Sequence, residues 1–185
     1  MLLIEMPSLE IACKMRAFFY VKFGGSLKII KCFSIVVLSL GASCLSYADF
    51  VGRVVGVHDG DTITVLTQDN VQYKIRLANI DAPELGQPFG QKAKQVLSDF
   101  VYNHPVYIKE HGEDRYGRVI GTVLKGNDNV NRLMVRYGYA WAYRQYLNDN
   151  VILNLETYAQ QQKVGIWKDA NNISPAQWRR MQNQK

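Results

Sequence analysis

Four acids fall at two places where the chain is expected to turn. Asp59 and Asp61 flank Gly60, and Asp81 and Glu84 flank Ala82-Pro83. Carboxylates gathered in one pocket repel one another, so such a set needs a cation. Ligands that are all oxygen suit calcium or magnesium. Asp and Gly are also the default turn residues, and Glu84 would be at home as a solvated loop acid. Residue types alone leave both readings open. Arg76 stands five residues before Asp81, and Arg118 follows Asp114-Arg115-Tyr116-Gly117. A guanidinium fork can hold two phosphate oxygens at once. Two such forks beside a cation would neutralise charge building on a phosphate in the transition state. Taken alone, either arginine reads more simply as a surface residue paired to an acid.

A further group is aromatic. Tyr139, Trp141, Tyr143 and Tyr146 interleave with Arg144, a pattern that serves base stacking or ordinary packing. Trp141 is expected to pack, and Tyr143 and Tyr146 to meet bases. His58, His104 and His111 show no metal-ligand spacing and are assigned to structure. No glycine loop of the P-loop or dinucleotide type is present.

These residues need elements to position them. Val51–His58 is valine-rich and ends at Asp59-Gly60, a strong hairpin signal. Thr62-Ile63-Thr64-Val65 alternates polar and apolar. Val71, Tyr73, Ile75 and Leu77 then share one strand face, with Gln72, Lys74 and Arg76 on the other. From about Phe89 the period becomes helical, with Phe89, Ala93, Val96, Leu97, Phe100 and Val101 on one face; His104-Pro105 ends the helix. Val106–Glu110 and Val119–Leu124 read as two more strands. Asn127, Asp128 or Asn129 caps a short helix with Val130, Leu133, Met134 and Tyr137 inward and Gly138 as its stop. Asp149 caps a long helix with Ile152, Leu155 and Ala159 inward, ending near Gly165. The tail carries Trp178-Arg179-Arg180 and is expected to fray. The fold class is α+β, mainly β. Five short strands with a helix between the third and fourth, and three helices in all, are what an OB-fold barrel requires, although periodicity alone leaves other α+β folds open.

The first 48 residues differ from the rest. They hold five of the 22 basic residues, two of the 16 acids and all three cysteines, Cys13, Cys32 and Cys44. A basic stretch, an apolar run from about Cys32 to Leu45 and small residues at Ser46 and Ala48 describe a secretory signal peptide cut after Ala48. The run is short for a membrane span, which needs roughly 20 apolar residues. An exported, periplasmic or secreted protein is expected, with no stable membrane association after cleavage. The rest divides into a domain over 49–170 and a tail over 171–185. Losing the signal lowers the net charge from +6 to +3, which permits a polyanionic partner without demanding one. A chain without cysteine has no disulfide, thiol nucleophile or zinc-thiolate site.

Together these pieces resemble the staphylococcal nuclease family. The likeness runs from about Val51 to Trp167. It rests on Asp59-Gly60-Asp61-Thr62, on Arg76-Leu77-Ala78-Asn79-Ile80-Asp81-Ala82-Pro83-Glu84, on Asp114-Arg115-Tyr116-Gly117-Arg118 and on Val164-Gly165-Ile166-Trp167. Four blocks in order at fitting spacings are highly specific. The resemblance implies a monomeric, calcium-dependent phosphodiesterase on an OB-fold, acting on DNA and RNA. It would cut the 5′ P–O bond and leave 3′-phosphate ends. It implies Asp61, Asp81 and the Ala82 backbone carbonyl as calcium ligands, with Asp59 supporting them from behind. Glu84 resembles the glutamate that orients or deprotonates the attacking water, Arg76 and Arg118 the phosphate clamp, and Tyr116 a tyrosine lining the nucleotide pocket. Ala82 is a departure: the founding nuclease has Thr there, so a hydroxyl contact is lost while a carbonyl ligand survives. The alternative is a non-catalytic OB-fold module that binds nucleic acid. The presence of Asp61, Arg76, Asp81, Glu84 and Arg118 together argues against it.

Overall fold

The computed structural model describes residues 48–184. The expected signal segment up to residue 47, with its cysteines, lies outside the described residues. Three strands open the fold: β1 (Phe50–Val57), β2 (Thr62–Leu66) and β3 (Gln72–Leu77). A two-residue strand, β4 (Ile80–Asp81), and helix α1 (Gly90–Val101) follow. The chain continues through β5 (Pro105–Glu113), β6 (Val119–Lys125), the short β7 (Asp128–Asn129), helix α2 (Val130–Arg136) and the short β8 (Trp141–Ala142). Helices α3 (Asn150–Gln161) and α4 (Pro175–Gln182) complete it. Among the described residues no helix is long and apolar enough to cross a membrane.

The sheet closes on itself. Strand β1 pairs antiparallel with β2 and β5, β2 with β3, and β5 with β6; β3 then meets β6 in parallel, Arg76 opposite Ile120. This is the expected five-stranded barrel, with α1 between its third and fourth strands. Closure leaves those strands without a free edge. A register shift between Val54 and Gly56 bends β1, as a bulge does where a barrel turns. Alternation along the strands sends Val54, Ile63, Val65, Ile75, Leu77, Ile108 and Val123 inward. Ala93, Leu97 and Val101 of α1 close one end, with Val96 and Phe100 packed beside them.

Four expectations are corrected. Val71 and Tyr73 are exposed while Ile75 and Leu77 are buried; the first half of β3 runs past the packed interior. Phe89 precedes α1 in a left-handed conformation, φ 68°, and so belongs to the turn rather than to the helical face. The buried face of α2 is Val130, Asn131, Met134 and Val135, not Leu133 and Tyr137. Asn131 is responsible: its amide donates to the carbonyls of Ala78 and Gly121 and accepts from the Val123 N–H, which turns that face to the barrel. In α3 the buried set is Ile152, Glu156 and Ala159. Leu155 is half-buried and packs against the core, and Glu156, not expected inward, is buried beside it because its carboxylate accepts the Ala142 N–H (2.9 Å) and pairs with Arg144 (2.7 Å).

The tail is the largest departure. Instead of fraying, it forms α4, a fourth helix. Ser174 and Gln177 build a reciprocal capping box, and Pro175 occupies the first turn, both strong helix-start signals.

Candidate active site

The β1–β2 turn brings Asp59 and Asp61 to one end of the barrel. Gly60 is required by space: a Cβ there would lie 2.7 Å from the Ala82 Cβ and 2.8 Å from that of Ala93. Only glycine lets this turn seat against the segment that carries Asp81. The Asp59 carboxylate accepts the Asp61 N–H (2.9 Å) and thus props the turn from behind. On the next strand Arg76 faces Thr62 across the β2–β3 ladder, one residue from Asp61. Asn79, buried and at φ 67°, reverses the chain after β3. Its side-chain oxygen accepts the Asn148 N–H. The next two residues form β4, which is held against β8 with Asp81 opposite Trp141.

These restraints converge on two buried carboxylates. Asp61 is 6% exposed and Asp81 5%. The same Arg76 nitrogen, Nη2, lies 3.2 Å from Asp61 Oδ2 and 3.2 Å from Asp81 Oδ1. Asp61 also accepts the Ala82 N–H (2.7 Å) and the Thr62 hydroxyl (3.1 Å). Burial nonetheless pushes the Asp61 carboxyl well above the ordinary carboxylate range. Arg76 draws it back, and the neighbouring charges of Asp59 and Asp81 push the same way as burial. Among the described residues no three His, Cys, Asp or Glu side chains surround one point as a ready-made metal cage. The expected cluster of four acids is therefore two central ones, with Asp59 behind and Glu84 at the rim. Two oxygen-only, desolvated carboxylates still fit a hard divalent cation as donors, because negative charge held out of water needs compensation.

Glu84 is half exposed at the rim of the pair. Its N–H donates to Gln87 Oε1 (3.2 Å), and its carbonyl accepts the Gln87 N–H (2.8 Å). Its carboxylate meets a partner from the far end of the chain. Arg179 of α4 donates to Glu84 Oε1 (2.7 Å) through Nη1 and to Asp81 Oδ2 (2.9 Å) through Nη2. Burial works against the Arg179 charge, but its bonds to Asp81 and Glu84 outweigh burial and hold the guanidinium charged more firmly than usual.

Arg118 lies just before β6. Strand alternation places it on the face shared by Ile120, which sits opposite Arg76. Here the sequence's simpler alternative is realised. Arg118 Nε donates to Asp114 Oδ2 (2.7 Å), and Nη2 lies 2.7 Å from the same oxygen. Burial pushes the Asp114 carboxyl up, but bonds from Arg118 and Tyr116 outweigh that and leave it below its usual value. Only two of the five Arg118 N–H groups are so engaged, which leaves three without a protein partner among the described residues. Tyr116 is 68% exposed, with the guanidinium carbons of Arg115 and Arg118 at 4.8 and 5.6 Å from its ring centre.

The Tyr143 and Tyr146 rings meet edge-to-face at 5.1 Å. They follow β8, and Tyr143 N–H donates to the Asn79 carbonyl (2.9 Å), which puts them beside the strand bearing Asp81. Trp141 packs edge-on against Trp167 at 5.5 Å, as expected of a packing residue. His58 and His111 pair with Thr64 and Thr122 on neighbouring strands, a structural use.

Sequence reasoning missed three residues: Asn131 and Glu156, which fix the turns beneath β4 and β8, and Arg179. The geometry is that of a small OB-fold barrel whose end gathers Asp61, Asp81 and Glu84 with Arg76 and Arg179. The model of the family described as staphylococcal nuclease homologue matches residues 74–169. A protein of Haemophilus influenzae named "Uncharacterized endonuclease" is 48% identical over 130 residues, which cover 70% of this chain and 73% of that protein. The "Micrococcal nuclease" of Shigella flexneri is 42% identical over 146 residues, 73% of this chain and 83% of that protein. An "Uncharacterized endonuclease" of Escherichia coli is 44% identical over 133 residues, 71% and 86% respectively. The chain belongs to the staphylococcal nuclease homologue family.

Proposed function

We propose that this protein is an exported, calcium-dependent nuclease that hydrolyses phosphodiester bonds of DNA and RNA. The observation that carries the reading is the single Arg76 nitrogen 3.2 Å from both Asp61 and Asp81, with Glu84 three residues beyond Asp81 at the rim. The relatives' nuclease names support the same class. Asp61, Asp81 and the Ala82 carbonyl would hold the calcium ion. Bound there, it would supply positive charge to a phosphate oxygen and help orient water. A loose oxygen set that includes a backbone carbonyl suits calcium's flexible coordination better than strict octahedral magnesium.

The chain's own residues do the rest. Arg118 presents its three unengaged N–H groups to the scissile phosphate from one side. Arg76, anchored to the carboxylates, presents its remaining N–H groups from the other. Fixed donors of this kind stabilise charge that grows on phosphoryl oxygens without having to reorganise. Glu84 takes a proton from the attacking water. The water oxygen bonds to phosphorus, the P–O bond to the 5′ oxygen breaks, and that oxygen leaves with the electron pair and takes up a proton from solvent, Glu84 later returning its own proton to solvent. The products are a 3′-phosphate and a 5′-hydroxyl. Tyr116, Tyr143 and Tyr146 offer faces for bases, which suits a catalyst indifferent to sequence. Export follows from the basic and apolar leader before Asp49. The mature chain should then begin at Asp49; intact Met1 or Met15 on protein recovered outside the cytoplasm would contradict that cleavage, and recovery only from the cytoplasm would contradict export.

The test turns on Glu84→Gln, which keeps shape and hydrogen bonding but removes the basic oxygen. Loss of a general base costs typically ~10²–10⁴ in rate. Cleavage of DNA and RNA and affinity for each should be measured for parent and variant, with calcium and with chelator, at one salt concentration. The expected outcome is lost cleavage with retained affinity. A parent that binds nucleic acid but never cuts it in calcium would make the protein a binding module instead.

A further inference from the structure

The C-terminal helix is not accounted for by the reaction. The family model's match ends at residue 169, and α4 begins at Pro175. The helix returns to the carboxylate end of the barrel at two points. The buried side chain of Gln87, which also accepts the Glu84 N–H, donates through Nε2 to the Ile173 carbonyl (2.6 Å). One helix turn further on, Arg179 reaches both Asp81 and Glu84 (2.7–3.3 Å). The capping box at Ser174 fixes where the helix starts and therefore where Arg179 points.

Arg179 and a divalent cation make the same demand on these acids. Each needs the Asp81 oxygens for itself, and both of them already accept from Arg179 at 3.3 and 2.9 Å. The Glu84 oxygen nearest Arg179, at 2.7 Å, is likewise already engaged while that bond stands. The guanidinium head is also the most dispensable cation present. Arg76 is 14% exposed and locked by the barrel, whereas the Arg179 side chain is 42% exposed and rides on a helix of only eight residues.

We propose that α4 is a built-in plug for this site: Arg179 neutralises Asp81 and Glu84 while no metal is bound, and must withdraw before a divalent cation and substrate can enter. The inference rests on the metal-dependent reading above. In physical terms, the cation-competent state is a fraction of the population, and the apparent metal affinity is reduced by that fraction. Removing the guanidinium makes the open state the only one. A polyanion that draws Arg179 towards its own phosphates would have a similar effect, so substrate should promote metal entry.

The experiment uses the full exported chain, with Arg179→Ala as the principal variant. Calcium binding is measured by titration calorimetry without nucleic acid, and cleavage is followed at limiting and saturating calcium. Arg179→Ala should bind calcium roughly tenfold more tightly, the factor expected if the plug is open about a tenth of the time, and should cut faster than the parent only at limiting calcium. Ser174→Ala, which breaks the capping box without touching the site, should shift affinity the same way by less. Calcium should also speed amide hydrogen exchange across residues 175–182 of the parent. Equal calcium affinity in parent and Arg179→Ala, with cleavage intact, overturns the plug alone. Loss of cleavage in Arg179→Ala at saturating calcium also overturns it, because Arg179 would then serve the reaction. A parent that never cuts, with affinity still raised in the variant, overturns the nuclease reading and leaves the plug standing. Absence of calcium binding by every variant overturns both.

Discussion

Arg76 lies on β3 and Arg118 just before β6, its parallel partner, and both are held by aspartates, yet the two holds differ in kind. Arg76 is 14% exposed and bridges two acids that are themselves buried, with Nη1 donating to the Leu77 carbonyl (2.8 Å). Its side chain is a structural member of the barrel end. Arg118 is 25% exposed and leans on one oxygen of one acid, in a turn that Asp114 itself builds by accepting the Tyr116 and Arg118 N–H groups. A buried pair deprived of one partner leaves a charge out of water, whereas a surface pair so treated loses little. Two arginines assigned one role on phosphate should therefore differ sharply in what they do for folding.

The largest effect is expected at Arg76. Arg76→Met leaves Asp61 and Asp81 buried with Arg179 as their remaining cation, and should cost about 3 kcal/mol of stability in chelator. For a chain of this size that is a fall of roughly 10 °C in melting temperature, besides the loss of cleavage. A melting temperature close to the parent's would show that Arg179, not Arg76, carries the compensation.

Arg118→Lys comes next and should separate the two functions. Lysine keeps the charge but loses the planar fork, so turnover should fall by roughly 10²–10³. The melting temperature should barely move, because a pair this exposed contributes ~0–1 kcal/mol. Thermal melts and turnover measured on the same preparations decide it. Near-normal turnover would reduce Arg118 to the partner of Asp114 and leave Arg76 as the sole clamp.

The same contrast explains what the sequence made legible. Asp59, Asp61, Asp81 and Glu84 stand at turns that Gly60 and Pro83 announce, and Arg76 follows from strand alternation; local rules reach their positions, while their roles came only from the resemblance of the motif blocks. The five strands and the change of period at α1 were legible, but alternation left other α+β folds open, and it was the four motif blocks in order that singled out the barrel. Asn131 and Glu156 were not legible, since a polar residue on a helix reads as solvent-facing until its backbone partners are known. Those partners, Gly121, Val123 and Ala142, come from other elements. Arg179 was hardest of all. Its partners lie 98 and 95 residues away, and Trp178-Arg179-Arg180 carries no periodic signal of its own. The capping box, Ser174 with Gln177 three residues on, was present in the sequence as a helix start and would have ruled out fraying.

The smallest effect is expected at a third arginine–aspartate pair that belongs to structure alone, and it calibrates the other two. Arg132 on α2 donates to both oxygens of Asp149 (2.8 and 3.1 Å), and Asp149 caps α3 by accepting the Val151 N–H (3.1 Å). The bond from Arg132 lowers the Asp149 carboxyl below its usual value, with help from the Val151 N–H against burial. A carboxyl whose pKa is lower folded than unfolded stabilises the fold above the unfolded value, near pH 4. That contribution is lost as pH falls through the folded value. Asp149→Asn preserves the cap, since Asn caps as well as Asp, and removes the charge together with one of the two oxygens that accept from Arg132. With Arg132 41% exposed, solvent screening holds the expected loss at pH 7 to about 0.5 kcal/mol. The gap between parent and variant should begin to narrow below about pH 4, the unfolded value, and close only once pH has fallen through the lower folded value. Cleavage should be unaffected at any pH where both chains are folded. Denaturant melts at pH 7 and pH 3 measure the gap directly. A loss at pH 7 as large as that of Arg76→Met would mean that exposure does not distinguish these arginines, and the contrast between Arg76 and Arg118 would lose its physical basis.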